Sequence, residues 1–430
     1  MIFHLIQYLE GLGADFPGMG LINFLSFRAM AAAVTAVLVA MIAGKKIIRL
    51  LQKKQIGETV RDLGLEGQIQ KKGTPTMGGV IIILSILCGV LLWCDLTNIY
   101  VILLLVSTLW CGALGFADDY IKVFKHNKEG MSEKGKLLGQ IVLGFIVGLT
   151  VWMSPDIVVR EKVEVKESIE RTLETETTVT SGRYVEEDVV KSTKTTIPFV
   201  KNHEFDYRWL SPVKGTWGWY AKWAIYVLMI VLVITACSNG TNLTDGLDGL
   251  AAGTSAIVGV VLGILAWLGG NLIDSNYLNI MYIPGSGEIA IFMSAFVGAL
   301  IGFLWYNSFP AQVFMGDTGS LTIGGVIGVS AVLMRKELLL PLLCGIFFVE
   351  SLSVLMQRFY FKYTRKKYGT GRRIWSMTPL HHHFQDKKAP EGPVLFPKPV
   401  PAQHEAKITI RFWIVGIILA VSTLALLKIR

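Results

Sequence analysis

The sequence is short of charge. Only 17% of its 430 residues are Asp, Glu, Lys or Arg, while 52% are hydrophobic; soluble domains carry about a quarter charged residues. That balance excludes an ordinary water-soluble globule and favours a membrane class. Cysteine is scarce too. Cys88, Cys94, Cys111, Cys237 and Cys344 all lie in apolar stretches without metal-ligand spacing, so they read as packing residues rather than a disulfide framework or a zinc site. The N-terminus lacks a charged segment followed by a small-residue cleavage site, and no removable signal peptide is expected. No repeat recurs at a fixed period. The formal net charge of +9 points to basic loops facing anionic lipid or phosphate, with no nucleic-acid partner.

What is abundant is apolar runs. A helix needs about 20 apolar residues to cross a bilayer, and ten stretches qualify: 21–44, 77–94, 98–117, 137–153, 217–236, 250–268, 288–306, 319–334, 338–361 and 411–427. The expected fold is therefore an all-α polytopic membrane protein, a single domain over 1–430, with both termini on one side. Basic residues choose the side. Lys45, Lys46, Arg49, Lys53, Lys54, Arg61, Lys71 and Lys72 follow the first span. Lys122, Lys125, Lys128, Lys134 and Lys136 follow the third, and Lys362 to Arg373 follow the ninth. Loops 1–20, 95–97 and 269–287 have no Lys or Arg. Both termini are expected to be periplasmic and the basic loops cytoplasmic.

Two loops stand out. Residues 154–216 form a long polar periplasmic insertion whose alternation, as in Lys162-Val163-Glu164-Val165-Lys166-Glu167, suits a β-hairpin or disorder. Loops this long are largely exempt from the positive-inside rule. Residues 362–410 form a cytoplasmic loop with a Pro-rich stretch from Pro390 to Pro401, read as an extended linker.

The chemistry-bearing residues sit at the cytoplasmic ends of the spans. Asp118-Asp119 closes the third; adjacent carboxylates there are solvated, or they hold Mg²⁺ or phosphate. Asn239-Gly-Thr-Asn242-Leu-Thr-Asp245-Gly-Leu-Asp248-Gly joins the fifth to the sixth. If it is helical from Thr244, Asp245 and Asp248 share one face. Asn307-Ser-Phe-Pro-Ala-Gln-Val-Phe314-Met-Gly-Asp317-Thr-Gly-Ser opens the eighth helix, where free N–H groups suit a phosphate, although Asp317 or Thr318 also reads as a plain N-cap. The run His381-His382-His383 follows Thr378-Pro379-Leu380. Three consecutive His do not suit one tetrahedral metal; donors to a pyrophosphate are the better reading. Lys71-Lys72-Gly-Thr-Pro-Thr76-Met-Gly-Gly adds basic residues beside a glycine turn. The pairs Gly249/Gly253 and Gly324/Gly328 fit small-residue helix packing.

The strings KKGTPTMGG at 71–79, FADDY at 116–120, NLTDGLDGLA at 242–251, FLWYNSFPAQVFMGDTGS at 303–320 and TPLHHHF at 378–384 together resemble the phospho-N-acetylmuramoyl-pentapeptide transferase family of the polyprenyl-phosphate hexose-1-phosphate transferase superfamily. The resemblance implies a Mg²⁺-dependent transfer of phospho-MurNAc-pentapeptide from UDP-MurNAc-pentapeptide to undecaprenyl phosphate, giving lipid I and UMP, in a bacterial inner membrane. Carried over by position, Asp317 would be the Mg²⁺ ligand and Asp118 the catalytic carboxylate with Asp119 beside it. His381 would act with them. Asn242, Asp245 and Asp248 would line the site, with Asn307 and Phe314 near the uridine. Lys71, Lys72, Thr76, Gln357, His382 and His383 complete the expected substrate contacts. Segments 154–216 and 362–373 look longer than the family pattern. Direct attack by the lipid phosphate and an aspartyl-phosphate path are both open, the first being favoured. So are a homodimer and a periplasmic partner for 154–216.

Overall fold

A computed structural model describes residues 1–13, 17–53, 73–125, 127, 129–160, 189–198, 204–278, 280–385, 393–397 and 402–427. The helices in chain order are α1 Ile2–Gly11, α2 Leu25–Lys53, α3 Gly79–Trp93, α4 Ile99–Phe124, α5 Glu133–Met153, α6 Thr216–Thr244 and α7 Leu250–Gly270. They continue with α8 Leu272–Tyr277, α9 Gly287–Asn307, α10 Gly316–Leu333, α11 Leu340–Leu343, α12 Gly345–Tyr368, α13 Leu380–Gln385 and α14 Glu405–Leu426. Among the described residues eight of these, α2, α4, α5, α6, α7, α9, α10 and α14, are long and apolar enough to cross a membrane. The chain is an all-α polytopic membrane protein.

Two expected spans differ in detail. α3 has only 15 residues, short of the roughly 20 needed for an untilted crossing. The ninth stretch, expected as one helix over 338–361, is broken. Residues Glu337–Leu343 and Gly345–Tyr368 meet at 78°. Pro341 lies in the first turn of α11, where it has no N–H to bond backwards. α12 restarts at Gly345, whose Cβ would stand 2.9 Å from Leu419 Cδ1 of α14.

α10 runs through the middle, packed on α4 and α6, while α9 packs on α2 and α7. Lipid tails are as apolar as Leu, so helices associate there by close fit rather than by hydrophobic drive. α10 supplies that fit with small residues. A Cβ on Gly324 would lie 2.3 Å from the Cys237 carbonyl oxygen of α6, and one on Gly328 3.2 Å from Ile234 Cα. The expected contact role of this pair therefore holds, and Gly253 likewise abuts the Trp413 ring of α14.

The 154–216 segment forms two short antiparallel pairs among its described residues: β1 Val159–Arg160 with β2 Val189–Val190, and β3 Lys194–Thr196 with β4 Glu204–Asp206. The alternating run 162–167 lies outside the described residues, as do Lys71, Lys72 and Pro390. β3 clamps the turn after α10. Thr196 N–H donates to the Arg335 carbonyl at 2.9 Å and Thr195 Oγ1 to the same oxygen at 3.1 Å. Arg335, Lys336 and Glu337 are all buried beneath this lid, with Lys336 Nζ donating to Thr196 Oγ1. Burial pushes the Tyr207 phenol well above its usual pKa. It stays protonated and donates to Glu337 Oε1 at 3.2 Å. The count of basic residues in short loops passed over Arg335 and Lys336; their partners lie in a distant segment that no local pattern points to.

Gly324→Ala is expected to cost about 1–3 kcal/mol through overpacking against the α6 backbone. A thermal unfolding midpoint in detergent equal to that of the unsubstituted protein would contradict this packing.

Candidate active site

Four helices bring their ends together around three carboxylates. Asp118 and Asp119 stand near the end of α4, within its last two turns. A side chain at Gly115, one turn earlier, would place its Cβ 2.2 Å from the Asp317 carbonyl oxygen. Only glycine lets α4 lie this close to the start of α10. Asp119 uses the proximity. It accepts the Asp317 N–H at 3.1 Å, the Thr318 N–H at 2.9 Å and Thr318 Oγ1–H at 2.6 Å. The first turn of α10 has no side-chain cap from its own N-cap residue, Met315. A carboxylate from another helix satisfies its free N–H groups and faces the positive end of its dipole. Asp119 is thus a positioning group. The local N-cap reading of Asp317 and Thr318 gives way to this distant cap, which leaves the Asp317 carboxylate free to point into the site.

Asp118 is fully buried and accepts the Met131 N–H at 2.6 Å. Lys122 Nζ stands 2.6 Å and Lys136 Nζ 3.0 Å from its Oδ2. The same two ammoniums reach Asp317 Oδ2 at 3.2 Å and 2.5 Å. Lys122 follows Asp118 by one helical turn, a spacing the sequence displays. Lys136 comes from α5, and nothing local predicts its arrival. Asn242 Nδ2 donates to Asp317 Oδ1 and to Ser320 Oγ, each at 2.9 Å. The three acids each offer an oxygen within 4.8 Å of the others. Three carboxylates against two ammoniums leave one formal negative charge on hard oxygen donors, which suits a divalent cation.

α6 reaches Thr244, eight residues beyond the expected end of its span. The condition for a shared helix face at Asp245 and Asp248 is not met: Asp245 is the C-cap and 245–249 form a turn. Thr244 Oγ1 bonds back to the Gly240 carbonyl at 2.8 Å, and Gly249 then takes a positive φ of 74° to start α7. In place of a shared helix face, Asp248 is buried and its Oδ2 accepts the Ala311 N–H at 2.9 Å. Asn307 is buried as well; it accepts the Gly249 N–H at 3.1 Å and donates to the Val313 carbonyl at 2.9 Å. The 73–79 segment is zipped to 313–315: Phe314 N–H donates to the Pro75 carbonyl and Gly78 N–H to the Phe314 carbonyl, both at 2.8 Å. Thr76 comes with it, buried against Gly316.

The His run forms the short α13. His381 is fully buried, its backbone N–H donating to Glu350 Oε1 at 3.1 Å and its Nδ1 standing 3.2 Å from Oε2. Its Nε2 lies under Gly246, where a Cβ would come within 2.2 Å. His383 Nδ1 accepts the Ser376 N–H at 3.3 Å, and the His382 ring lies against His381 with centroids 4.2 Å apart and planes tilted by 59°. Gln357 holds a strand: its Oε1 accepts the Ile374 and Trp375 N–H groups, and its Nε2 donates to the Trp375 carbonyl. The structure thus gathers Asp118, Asp119, Asp317 and Asn242 into one cluster. It sets Asp248 in the turn before α7, Asn307 at the end of α9 and His381 in α13, flanking the cluster. Lys122, Lys136 and Glu350 are the functional candidates that motif reading missed.

The sequence matches the family described as Glycosyl transferase family 4 over residues 190–335, and the phospho-N-acetylmuramoyl-pentapeptide-transferase signature 1 over 71–83. It is 56% identical, over the whole of both chains, to a phospho-N-acetylmuramoyl-pentapeptide-transferase of Parabacteroides distasonis. The chain belongs to the phospho-N-acetylmuramoyl-pentapeptide-transferase family. Transferases of that name from Azobacteroides pseudotrichonymphae and Flavobacterium johnsoniae are 53% and 52% identical, again over the full length of both chains. These alignments run to 430 and 432 residues, so the long 154–216 and 362–373 segments are matched in length by transferases of the family and do not set this chain apart from them.

Asp119→Ala removes the cap on α10 and is expected to cost about 1–2 kcal/mol of stability, with Asp119→Asn recovering part of it. Unchanged melting of Asp119→Ala would show that α10 does not depend on this carboxylate.

Proposed function

We propose that the cluster of Asp118, Asp119 and Asp317 is the reacting centre of a Mg²⁺-dependent transfer of phospho-MurNAc-pentapeptide from UDP-MurNAc-pentapeptide to undecaprenyl phosphate, releasing UMP and forming lipid I. The observation that carries this is that an acidic, lysine-paired cluster and an apolar groove share the helices α5 and α6. A cavity of about 700 Å³ runs between α5, α6 and α12, lined by Leu137, Ile141, Leu232, Phe347, Leu352 and Leu355 among others. On α5, groove-lining Leu137 is the residue after Lys136; on α6, lining Asn239 and Leu243 flank Asn242. A polyprenyl tail in the groove would bring its phosphate to the acids.

Asp317, with Asp118 and Asp119 as neighbouring oxygen donors, would hold Mg²⁺, which when bound neutralises charge on the pyrophosphate and the departing UMP. Lys122 and Lys136 occupy the remaining negative field and are the groups that can turn to phosphate oxygens when substrate arrives. Asp118 would take a proton from the lipid phosphate once the ammoniums turn from it to phosphate oxygens. Direct attack by the lipid phosphate on the β-phosphate is favoured over an aspartyl-phosphate path because a phosphate monoester is already an adequate nucleophile. Phe314 and Asn307 lie on the loop read as the uridine side, with Asp245, Thr76, His381, His382, His383 and Gln357 lining or bracing its surroundings. Asp248 keeps the 310–314 loop against the α6–α7 turn.

The same reading makes the whole chain one transferase domain of the bacterial inner membrane. The acidic cluster faces the cytoplasm and 154–216 is the periplasmic insertion. A cytoplasmic nucleotide sugar and a lipid phosphate at headgroup depth can meet only at such an interface.

Purified protein incubated with UDP-MurNAc-pentapeptide and undecaprenyl phosphate should release UMP. EDTA should abolish this and Mg²⁺ restore it. Asp118→Asn and Asp317→Asn should each lower turnover by at least about a hundredfold while the protein still inserts. Near-normal turnover of either variant removes its assigned role, and activity with UDP-GlcNAc alone would reassign the chain to a related sugar-phosphate transferase.

A further inference from the structure

α12 contributes one stripe of side chains to the groove: Phe347, Ser351, Leu352, Leu355 and, at its far end, Arg358. The spacing is that of a single helix face. Apart from Ser351 this stripe is apolar until its far end, which carries a full positive charge. Glu133 is the only other charged residue of the lining, and it opens α5 one turn before Lys136. Arg358 is exposed and forms no ion pair among the described residues. It sits at the end of the groove away from the bend at Cys344, beside Gln357, whose amide group pins the strand Arg373–Trp375 to α12. The helix is therefore braced where the guanidinium leaves it.

We infer that Arg358 is the docking residue for the phosphate of the polyprenyl acceptor, gripping a phosphate monoester as its apolar tail fills the groove. The inference rests on the transferase reading of the groove and adds a specificity-determining residue to it. A planar guanidinium pairs two of its N–H groups with two phosphate oxygens, and it stays charged at the membrane surface. Its place at the end of an apolar stripe selects a ligand that is a long hydrocarbon with one anionic end. Arg358 is a positioning residue: it sets the depth at which the lipid phosphate is held before the lysines and acids take it.

The test uses the full chain in nanodiscs, with each substrate titrated separately, in pure phosphatidylcholine and in a mixture containing phosphatidylglycerol. Arg358→Gln is expected to raise the half-saturating amount of undecaprenyl phosphate roughly tenfold, the loss of one charged hydrogen-bonding partner. The half-saturating UDP-MurNAc-pentapeptide and the turnover at saturation should stay within about twofold. Arg358→Lys should recover only part of the loss, because an ammonium keeps the charge but not the paired N–H geometry, and the effect should be the same in both lipid mixtures. Arg358 lies on the surface, so the variant is expected to fold. An unchanged requirement for undecaprenyl phosphate, or an equal rise for both substrates, overturns the assignment. So does an effect confined to phosphatidylglycerol discs, which would mean that Arg358 reads bulk anionic lipid. If the unsubstituted protein releases no UMP with undecaprenyl phosphate, the transferase reading itself fails and takes this assignment with it.

Discussion

The site depends on a carboxylate of one helix capping the start of another. Asp119 of α4 takes the N–H groups of Asp317 and Thr318, which ties together two elements separated by nearly two hundred residues of chain. Everything nearby follows from that tie. The bond requires α4 and α10 to be in backbone contact, hence the glycine at position 115. It orients the first turn of α10, hence the direction of the Asp317 carboxylate. A capping bond in a low-dielectric setting is also costly to leave half made, so the same interaction that shapes the site secures the helix packing around it.

The second constraint is charge balance. Three acids this close would repel one another strongly without compensation, and Lys122 and Lys136 each bridge Asp118 and Asp317. The balance is incomplete by one formal charge, which suits the cluster to a divalent cation. The lysines are exchangeable partners: a divalent ion and a pyrophosphate together can replace ammonium–carboxylate pairs with metal–carboxylate and ammonium–phosphate pairs, leaving no buried charge unmatched. An apolar groove lies alongside, lined by α5, α6 and α12.

Much of this was legible in the residues. Apolar runs located the spans, because hydrocarbon demands about 20 residues of helix wherever the chain crosses. The acidic and amide motifs were visible as polar groups no bilayer would hold without use. Other features were not legible, for physical reasons that differ. The break at Cys344 falls within an apolar run that looks alike whether straight or bent, and Pro341 alone does not say how far the chain turns. The turn at 245–249 rules out a shared helix face because Gly249 adopts a positive φ and Asp248 is recruited by a loop sixty residues on. Lys136 and Glu350 bear no motif of their own; their roles come from helices that only tertiary packing brings together. Arg335 and Lys336 are buried by a β-pair from the insertion, where a loop count would have set them in water.

The most direct measurement of the central claim is an anomalous-scattering map of the protein crystallised with Mn²⁺ in place of Mg²⁺. The account predicts one peak coordinated by Asp317, with the Lys136 ammonium drawn away from that carboxylate and the peak lost in Asp317→Asn. A map without Mn²⁺ at the cluster under conditions that support turnover, with both lysines still on Asp317, would contradict it.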